Sequence, residues 1–161
     1  MIDPEPLEGA DAAADAVRIR PFALADTEAV VALWRDAGLV KPWNDPYLDI
    51  ERKLTVQPEL FLVGESVGAV VGTAMIGYDG HRGWVNYLAV ADPARGTGLG
   101  RALMREAERL LVERGCPKLN LQVRTSNADV IAFYERLGYA HDDVASLGKR
   151  LIPDAPPVSG P

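Results

Sequence analysis

Three glycines at alternating positions form the part of the chain best suited to bind an anion. Gly96, Gly98 and Gly100 lie in "DPARGTGLGRALM", where a turn passes directly into a helical pattern. Glycine costs about 1 kcal/mol relative to alanine inside a helix, so its repetition here indicates a need for bare backbone. The first N–H groups of a helix lack intrahelical acceptors and lie at the positive end of its dipole. The glycines would allow a phosphate to approach those groups closely.

Two common phosphate-binding motifs fail here on residue identity. A dinucleotide fingerprint requires G-x-G-x-x-G, but Arg101 stands in the position of the third glycine. A P-loop requires Lys followed by Ser or Thr after its last glycine, whereas Arg101 and Ala102 follow here. The spacing therefore leaves two alternatives open, an anion-binding helix start and an ordinary strand-to-helix turn.

The segments around this loop predict a mixed α/β layer, because antiparallel strands joined by short turns feed one crossover helix. Asp26 and Asp45 are expected to cap two early helices, a third follows the glycines, and a fourth spans Ser126 to Leu137. Strands are predicted at "VRIRP", "LFLVGE", "VGAVVGTAMIGYD", "GWVNYLAV", "KLNLQV" and "SLGKRLI".

The ends of the chain differ in composition from its middle. The net charge of −6 includes five acids and no base within residues 1–16, so the remainder carries only −1. We therefore expect a disordered acidic leader over 1–16, one domain over 17–152 and a disordered proline-rich tail over 153–161. A nearly neutral domain makes nucleic acid a poor partner.

Several classes of protein and site are disfavoured by composition. No apolar run approaches the ~20 residues that a membrane helix needs. The single cysteine, Cys116, suits a reducing cytoplasm and is interpreted as structural rather than nucleophilic. We expect no metal site, because His81 and His141 lie far apart and lack a cysteine partner.

Two motifs in the same order and separation resemble those of the GNAT superfamily of acyl-CoA-dependent N-acetyltransferases. "ARGTGLGRA" after "YLAV" resembles the R/Q-x-x-G-x-G/A loop, and "NADVIAFYERLGY" resembles N-x-x-A-x-x-x-Y-x-x-x-G-F/Y. Val130 stands where alanine is usual in the second motif. "PWND", "YDGHRG" and "RGCPK" also resemble a group of small bacterial members. The positions that match the two motifs are Arg95, Gly98, Gly100, Asn127, Tyr134, Gly138 and Tyr139.

The resemblance covers about residues 17–152 and implies a mostly antiparallel sheet of about seven strands with a splayed central pair, flanked by about four helices. It implies acetyl-CoA as cofactor, with the pyrophosphate on the glycine loop and the pantetheine arm beside the preceding strand. One backbone N–H of that strand would stabilise the oxyanion. The implied cofactor-binding residues are Leu88, Ala89, Val90, Arg95, Gly96, Thr97, Gly98, Leu99, Gly100, Arg101, Asn127 and Tyr134.

The resemblance implies a general acid, but it leaves the identity of the general base open. Tyr134 is the candidate acid for the departing thiolate, with packing between helix and sheet as the alternative. Many relatives carry a glutamate on the strand "WVNYLAV", which has no acid here. Asn86 could orient a water, and Asp79 and His81 are the nearest titratable groups in sequence, although Asp79 also starts a typical hairpin turn. Asn127 could contact the cofactor or cap a helix.

The first two helices and their connection are expected to line the acceptor site. Trp34, Trp43 and Asn44, together with His81, are the predicted substrate contacts, whereas Asp45 is favoured as a helix cap. The predicted activity is acetyl transfer from acetyl-CoA to a small-molecule amine or a protein amino group, by direct attack in a ternary complex. A non-catalytic acyl-CoA-binding regulatory module is the alternative, and the resemblance leaves a homodimer open.

Overall fold

A computed structural model describes residues 17–154. The predicted leader and residues 155–161 of the predicted tail lie outside the described residues. Within this range, no helix has both the length and the apolar character required to cross a membrane.

Five strands and four α-helices, with three short 3-10 turns, make up the described chain. The strands form one sheet in the order β1-β2-β3-β4-β5, antiparallel except for the parallel β4–β5 pair. The elements are β1 Arg18–Pro21, α1 Thr27–Asp36, α2 Pro46–Leu54, β2 Phe61–Ser66, β3 Ala69–Tyr78, β4 Gly83–Val90, α3 Leu99–Glu113, β5 Leu119–Asn120 and α4 Ala128–Arg136, and the 3-10 turns are Leu24–Asp26, Pro58–Leu60 and Asp92–Ala94.

The prediction of about seven strands is wrong for residues 17–154. The segment "KLNLQV" forms a strand only at Leu119–Asn120, and "SLGKRLI" forms none. Leu147 and Leu151 in the latter segment are exposed, so its apolar residues face no sheet. Side-chain bonds hold this part of the chain instead, including one of 2.6 Å from Gln122 to Ser146. An alternating pattern becomes a strand only where a neighbouring backbone pairs with it.

Helices cover both faces of the sheet. Alternation along β2 sends Phe61 and Val63 into the core formed with α1 and α2, and sends Leu62 into the core formed with α3 and α4. α3 buries one apolar stripe, made up of Leu99, Leu103, Met104, Ala107 and Leu111. The two cores fix the helices relative to the central strands.

The predicted helix cap at Asp45 is confirmed. Its side-chain oxygen accepts a 2.9 Å hydrogen bond from the N–H of Tyr47, and Pro46 occupies the first helical position. This cap fixes where α2 begins, and therefore which residues of α2 face the sheet.

Candidate active site

A cavity of about 1010 Å³ opens where β4 and β5 diverge. The two strands pair only at Gly83–Leu119 and Trp84–Asn120, and β4 then continues alone to Val90. The opposite wall comes from the α1–α2 connection and α2. The lining residues are Ala37, Gly38, Leu39, Lys41, Trp43, Asn44, Asp49, Arg52, Lys53, Val56, Met75, Val85, Asn86, Tyr87, Leu88, Leu121, Gln122, Val123, Arg124, Asn127, Val130, Tyr134 and Ser146.

A bulge in β4 directs one backbone donor into this cavity. The register between β3 and β4 shifts between Thr73 and Met75, and Tyr87 takes a left-handed φ of 51°. The buried Thr73 hydroxyl donates a 2.8 Å hydrogen bond to the Tyr87 carbonyl oxygen. In the trans peptide that follows, the Leu88 N–H points away from that carbonyl. It therefore faces the side of β4 that β5 leaves open.

The structure corrects the prediction that Trp34 contacts substrate. Trp34 has no exposed surface and does not line the cavity. Its indole N–H donates to the Thr73 hydroxyl at 2.9 Å, and its ring stacks on Tyr87 with centroids 3.8 Å apart. Burial of a large aromatic ring is strongly favourable, so Trp34 packs in the core. There it supports the bulge through Thr73 and Tyr87 and does not contact a ligand in the cavity.

Tyr134 lies on α4 and lines the same cavity. It is nearly buried between Phe133 and Tyr139, with both neighbours in edge-to-face contact. Burial raises the pKa of Tyr134 to about 12. With this pKa the phenol keeps its proton at neutral pH, and among residues 17–154 its hydroxyl makes no hydrogen bond.

The glycines of the loop meet two different structural requirements. Gly96 and Gly98 have φ of 76° and 89°, and a Cβ built on either would meet no atom within 4 Å. Their backbone is open, as a bound phosphate requires. Gly100 instead packs under α4, because a Cβ there would lie 3.2 Å from the Phe133 ring. The first N–H groups of α3, starting at Leu99, lie at this open turn.

Two side chains brace the loop. Arg95 donates through Nε to the Val90 carbonyl oxygen at 3.3 Å and pairs with Asp92 at 3.2 Å. The Thr97 hydroxyl donates to the Ala94 carbonyl oxygen at 2.5 Å. These bonds define the turn between β4 and α3.

Comparison with known proteins decides the family. The Acetyltransferase (GNAT) family matches residues 27–139. "Acetyltransferase YE1169" of Yersinia enterocolitica is 53% identical over 138 residues, which cover 86% of this chain and 98% of that protein. The chain belongs to the GNAT acetyltransferase family.

Solved GNAT structures share the architecture. Ard1 from Thermoplasma volcanium superposes with a TM-score of 0.64 at 28% identity, covering 78% of this chain and 83% of that one. The ribosomal-protein-alanine N-acetyltransferase of Brucella melitensis biovar Abortus 2308 has a TM-score of 0.65 at 25% identity, covering 84% and 99%. The predicted GNAT fold and acetyltransferase activity are confirmed, apart from the strand count.

Other predicted residues of this GNAT protein fall on the cavity wall. Asn86 and Leu88 line it from β4, and Trp43 and Asn44 line it from the α1–α2 connection. Asn127 occupies the N-cap position of α4, yet its side chain makes no capping hydrogen bond and lines the cavity.

Several predicted residues lie off this cavity wall. Ala89 is buried on the α1 side of β4, Val90 is the last residue of β4, and Arg101 lies in the first turn of α3. Among the described residues, those that line the cavity do not include His81 or Asp79.

Asp79 is a turn residue in this structure. Its carboxylate accepts the backbone N–H groups of His81 and Arg82 at 2.8 and 2.7 Å, and the indole of Trp84 at 3.3 Å. These hydrogen bonds, led by that of Arg82, lower the pKa of Asp79. The prediction of Asp79 as base and His81 as substrate contact is therefore corrected: the hairpin turn takes both residues.

The structure also brings charged residues of α2 into the site. Asp49, Arg52 and Lys53 follow helical spacing and share the face that lines the cavity. Asp49 accepts the Tyr87 hydroxyl at 2.6 Å and pairs with Arg52 at 3.1 Å. These charged residues recur at the three- and four-residue spacing of a helix face, and that spacing is the signal in the sequence that places them together.

Proposed function

We propose that the protein transfers the acetyl group of acetyl-CoA to a primary amine by direct attack in a ternary complex. The observation that carries this proposal is the convergence of the Leu88 N–H and the Tyr134 hydroxyl on one cavity between diverging strands. Acetyl-CoA, when bound, supplies the acetyl group as a thioester, whose carbonyl carbon is electrophilic. The protein has to bind it, polarise that carbonyl and manage two protons.

The residues fit the cofactor in two places. The open backbone at Gly96 and Gly98, next to the first N–H groups of α3, would hold the pyrophosphate. In the described chain, no strand pairs with the outer edge of β4 from Leu88 to Val90 after β5 ends, so the outward N–H and C=O groups of this edge would bind the amide-rich pantetheine arm. Asn127 would contribute its side-chain amide from the start of α4.

Polarisation of the carbonyl is assigned to the Leu88 N–H. Its direction is fixed before ligand binds, because Thr73 holds the preceding carbonyl. A preorganised donor of this kind is worth roughly 2.7–4 kcal/mol where charge develops on oxygen. Protonation of the leaving thiolate is assigned to Tyr134, since a pKa of about 12 keeps its phenol neutral at physiological pH.

Deprotonation of the amine is assigned to a water held at Asn86 and Asp49. Asp49 is the one carboxylate among the described residues that line the cavity, and it replaces Asp79 as the candidate proton acceptor. An alkyl amine is mostly protonated at neutral pH, so its proton must leave before attack.

Direct attack is favoured over a covalent intermediate because the described cavity wall contains no cysteine and no histidine. Cys116 is turned to the Lys118 carbonyl, 3.4 Å away, outside the cavity. Ser146 lines the cavity, but its hydroxyl partner is Gln122, which cannot act as a base. We therefore propose that the acetyl group passes to the amine without a covalent acetyl-enzyme intermediate. The single cysteine and the bacterial relative support a bacterial cytoplasmic enzyme.

The proposal is tested by calorimetric titration with acetyl-CoA, followed by assay of CoA release with amines. Gly98→Val should abolish binding, because its side chain fills the space over the loop. Gly80→Val is the matched control, since Gly80 also has a positive φ, of 92°, and open space around it, but lies at the β3–β4 turn. Equal affinities in the two variants would remove the loop assignment. Acetyl-CoA binding without CoA release for any amine would favour the non-catalytic alternative.

A further inference from the structure

The charge on the cavity wall is opposite to that of the chain. The chain carries −6 in total and the domain about −1, yet the described residues lining the cavity include four basic side chains and one acidic one. The basic residues are Lys41, Arg52, Lys53 and Arg124, and the acidic residue is Asp49. They come from the α1–α2 connection, from α2 and from the segment between β5 and α4.

Only one of the four cations is neutralised by carboxylates. Arg52 pairs with Asp49 at 3.1 Å and with Asp154 at 2.7 Å. Over residues 17–154, no carboxylate lies within 4 Å of the charged nitrogens of Lys41, Lys53 or Arg124. The ammonium of Lys53 is buried and donates to the Ile76 carbonyl oxygen. Within the described part of the chain, Lys41 and Arg124 therefore face the cavity from opposite walls without a carboxylate partner.

The phosphates of the cofactor are assigned to another place. The open backbone at Gly96 and Gly98 lies beyond the end of β4, and no residue between Asp92 and Arg101 lines the cavity. Lys41 stands on the α1–α2 wall, where the acceptor has to bind, and Arg124 faces it from the segment between β5 and α4. Charges in a partly enclosed site select ligands of opposite sign, because water screens them less there than on an open surface.

We propose that the acceptor is an amine that also carries a negatively charged group, such as a carboxylate or a phosphate. This inference rests on the proposed acetyltransferase function and names its substrate class. Asp49 receives the amino end, and Lys41 and Arg124 receive the anionic end. Polycationic amines are excluded, because they would place positive charge beside unpaired cations.

The test compares amines that differ only in the anionic group. The pairs are β-alanine with its amide, glutamate with glutamine, and O-phosphoethanolamine with ethanolamine, and spermidine represents the polycations. The wild-type protein is assayed for CoA release at low ionic strength, with kcat/KM expressed per unprotonated amine. This correction is needed because the two members of a pair differ in amine pKa.

The anionic member of at least one pair should be acetylated about tenfold faster in kcat/KM, since charged hydrogen bonds favour it. Added salt should reduce that preference. Lys41→Gln and Arg124→Gln should each reduce the preference at least threefold, whereas Arg18→Gln, which changes an exposed cation on β1 that does not line the cavity, should leave it unchanged.

The possible outcomes distinguish a failure of this inference from a failure of the proposed acetyltransferase function. Acetylation of neutral or polycationic amines as fast as their anionic counterparts overturns the inference and leaves the acetyltransferase function in place. Acetyl-CoA binding with no turnover of any anionic amine also overturns it. Failure to bind acetyl-CoA at all overturns the proposed function itself.

Discussion

The hydroxyl of Thr73 lies 2.8 Å from the carbonyl oxygen of Tyr87 and holds it on the side of β4 opposite the cavity. The direction of this hydrogen bond is determined by Trp34, whose indole N–H can only donate and already occupies an acceptor position of the hydroxyl. The hydroxyl proton is therefore directed to Tyr87. A buried chain of two hydrogen bonds thus sets where the Leu88 N–H points.

Thr73→Val should reduce kcat by roughly tenfold to a hundredfold, somewhat less than loss of an oxyanion donor itself. The variant keeps the shape of the side chain but releases the Tyr87 carbonyl, so the Leu88 N–H loses its fixed direction. Binding of acetyl-CoA, measured by calorimetry, should change less than threefold. Thr73 is a positioning residue, and a split between kcat and affinity is its expected kinetic effect.

Two further variants serve as controls for Thr73. Thr73→Ser retains the hydroxyl and should keep most of the turnover. Trp34→Phe retains an aromatic ring against Tyr87 but removes the indole N–H, and should lower kcat by less than Thr73→Val does. A loss of kcat in the serine variant equal to that in the valine variant would show that packing, rather than the hydrogen bond, matters at this position.

Tyr134→Phe should lower kcat by about 10²- to 10⁴-fold, the range for removal of a general acid. Acetyl-CoA affinity should be unchanged, because the phenyl ring still fills the space between Phe133 and Tyr139. Stopped assays of CoA release measure kcat, and calorimetric titration measures the affinity for acetyl-CoA.

Tyr139→Phe is the matched control for that experiment. It removes a phenol from the same region, but the Tyr139 hydroxyl donates to Glu108 at 2.7 Å and does not line the cavity. Its kcat should remain within twofold of wild type. Equal rates in the Tyr134 variant and this control would remove Tyr134 from the reaction.

Motifs that act through the backbone could be predicted from sequence, and sites assembled across elements could not. The glycine loop and the Asp45 cap depend on neighbouring residues, whose identities suffice to predict local conformation. The exclusion of Trp34 from the cavity depends on where α1 packs, 39 residues in sequence from its partner Thr73. A pattern of neighbouring residues carries no information about a contact between residues so far apart in sequence.

The missed strands and the missed charges have related causes. "SLGKRLI" has strand-like residues, but no backbone neighbour pairs with them in the described chain, and local propensity cannot supply one. Asp49 lies on the polar face of α2, which the sequence alone assigns to solvent. It meets Tyr87 only because β4 bulges at that point.

Gly100→Leu should destabilise the protein by about 1–3 kcal/mol, the usual cost of an overpacked contact. A Cβ at this position already lies 3.2 Å from the Phe133 ring, so a larger side chain must push α4 away from α3. Urea denaturation measures the free energy of unfolding. Ala102→Leu, an exposed change in the same first turns of α3, is the control and should cost less than 0.5 kcal/mol.

A second substitution identifies the contact responsible. Phe133→Leu in the Gly100→Leu background should recover at least half of the lost stability, because it removes ring atoms from the overlap. If the loss of unfolding free energy in the double variant equals the sum of the losses in the two single variants, α3 and α4 do not meet at Gly100.

The raised pKa of Tyr134 predicts how stability depends on pH. An unfolded tyrosine loses its proton near pH 10.0, whereas burial keeps the folded phenol protonated up to about pH 12. Between these values the unfolded state binds fewer protons, so the free energy of unfolding falls as pH rises. The stabilisation due to this group is complete below pH 10, and about 2 kcal/mol of it is lost by pH 12.

Tyr134→Phe should therefore lose less stability at high pH than the wild-type protein. Urea denaturation at pH 8, 10 and 11 should show the two curves of stability against pH diverging only above pH 10, with a difference of about 1 kcal/mol at pH 11. Tyr87 and Tyr139, whose pKa values are also raised by burial, are present in both proteins and cancel in the comparison. Parallel curves up to pH 11 would show that the Tyr134 phenol ionises as readily as an exposed one, and it would then be no special proton donor at the cavity.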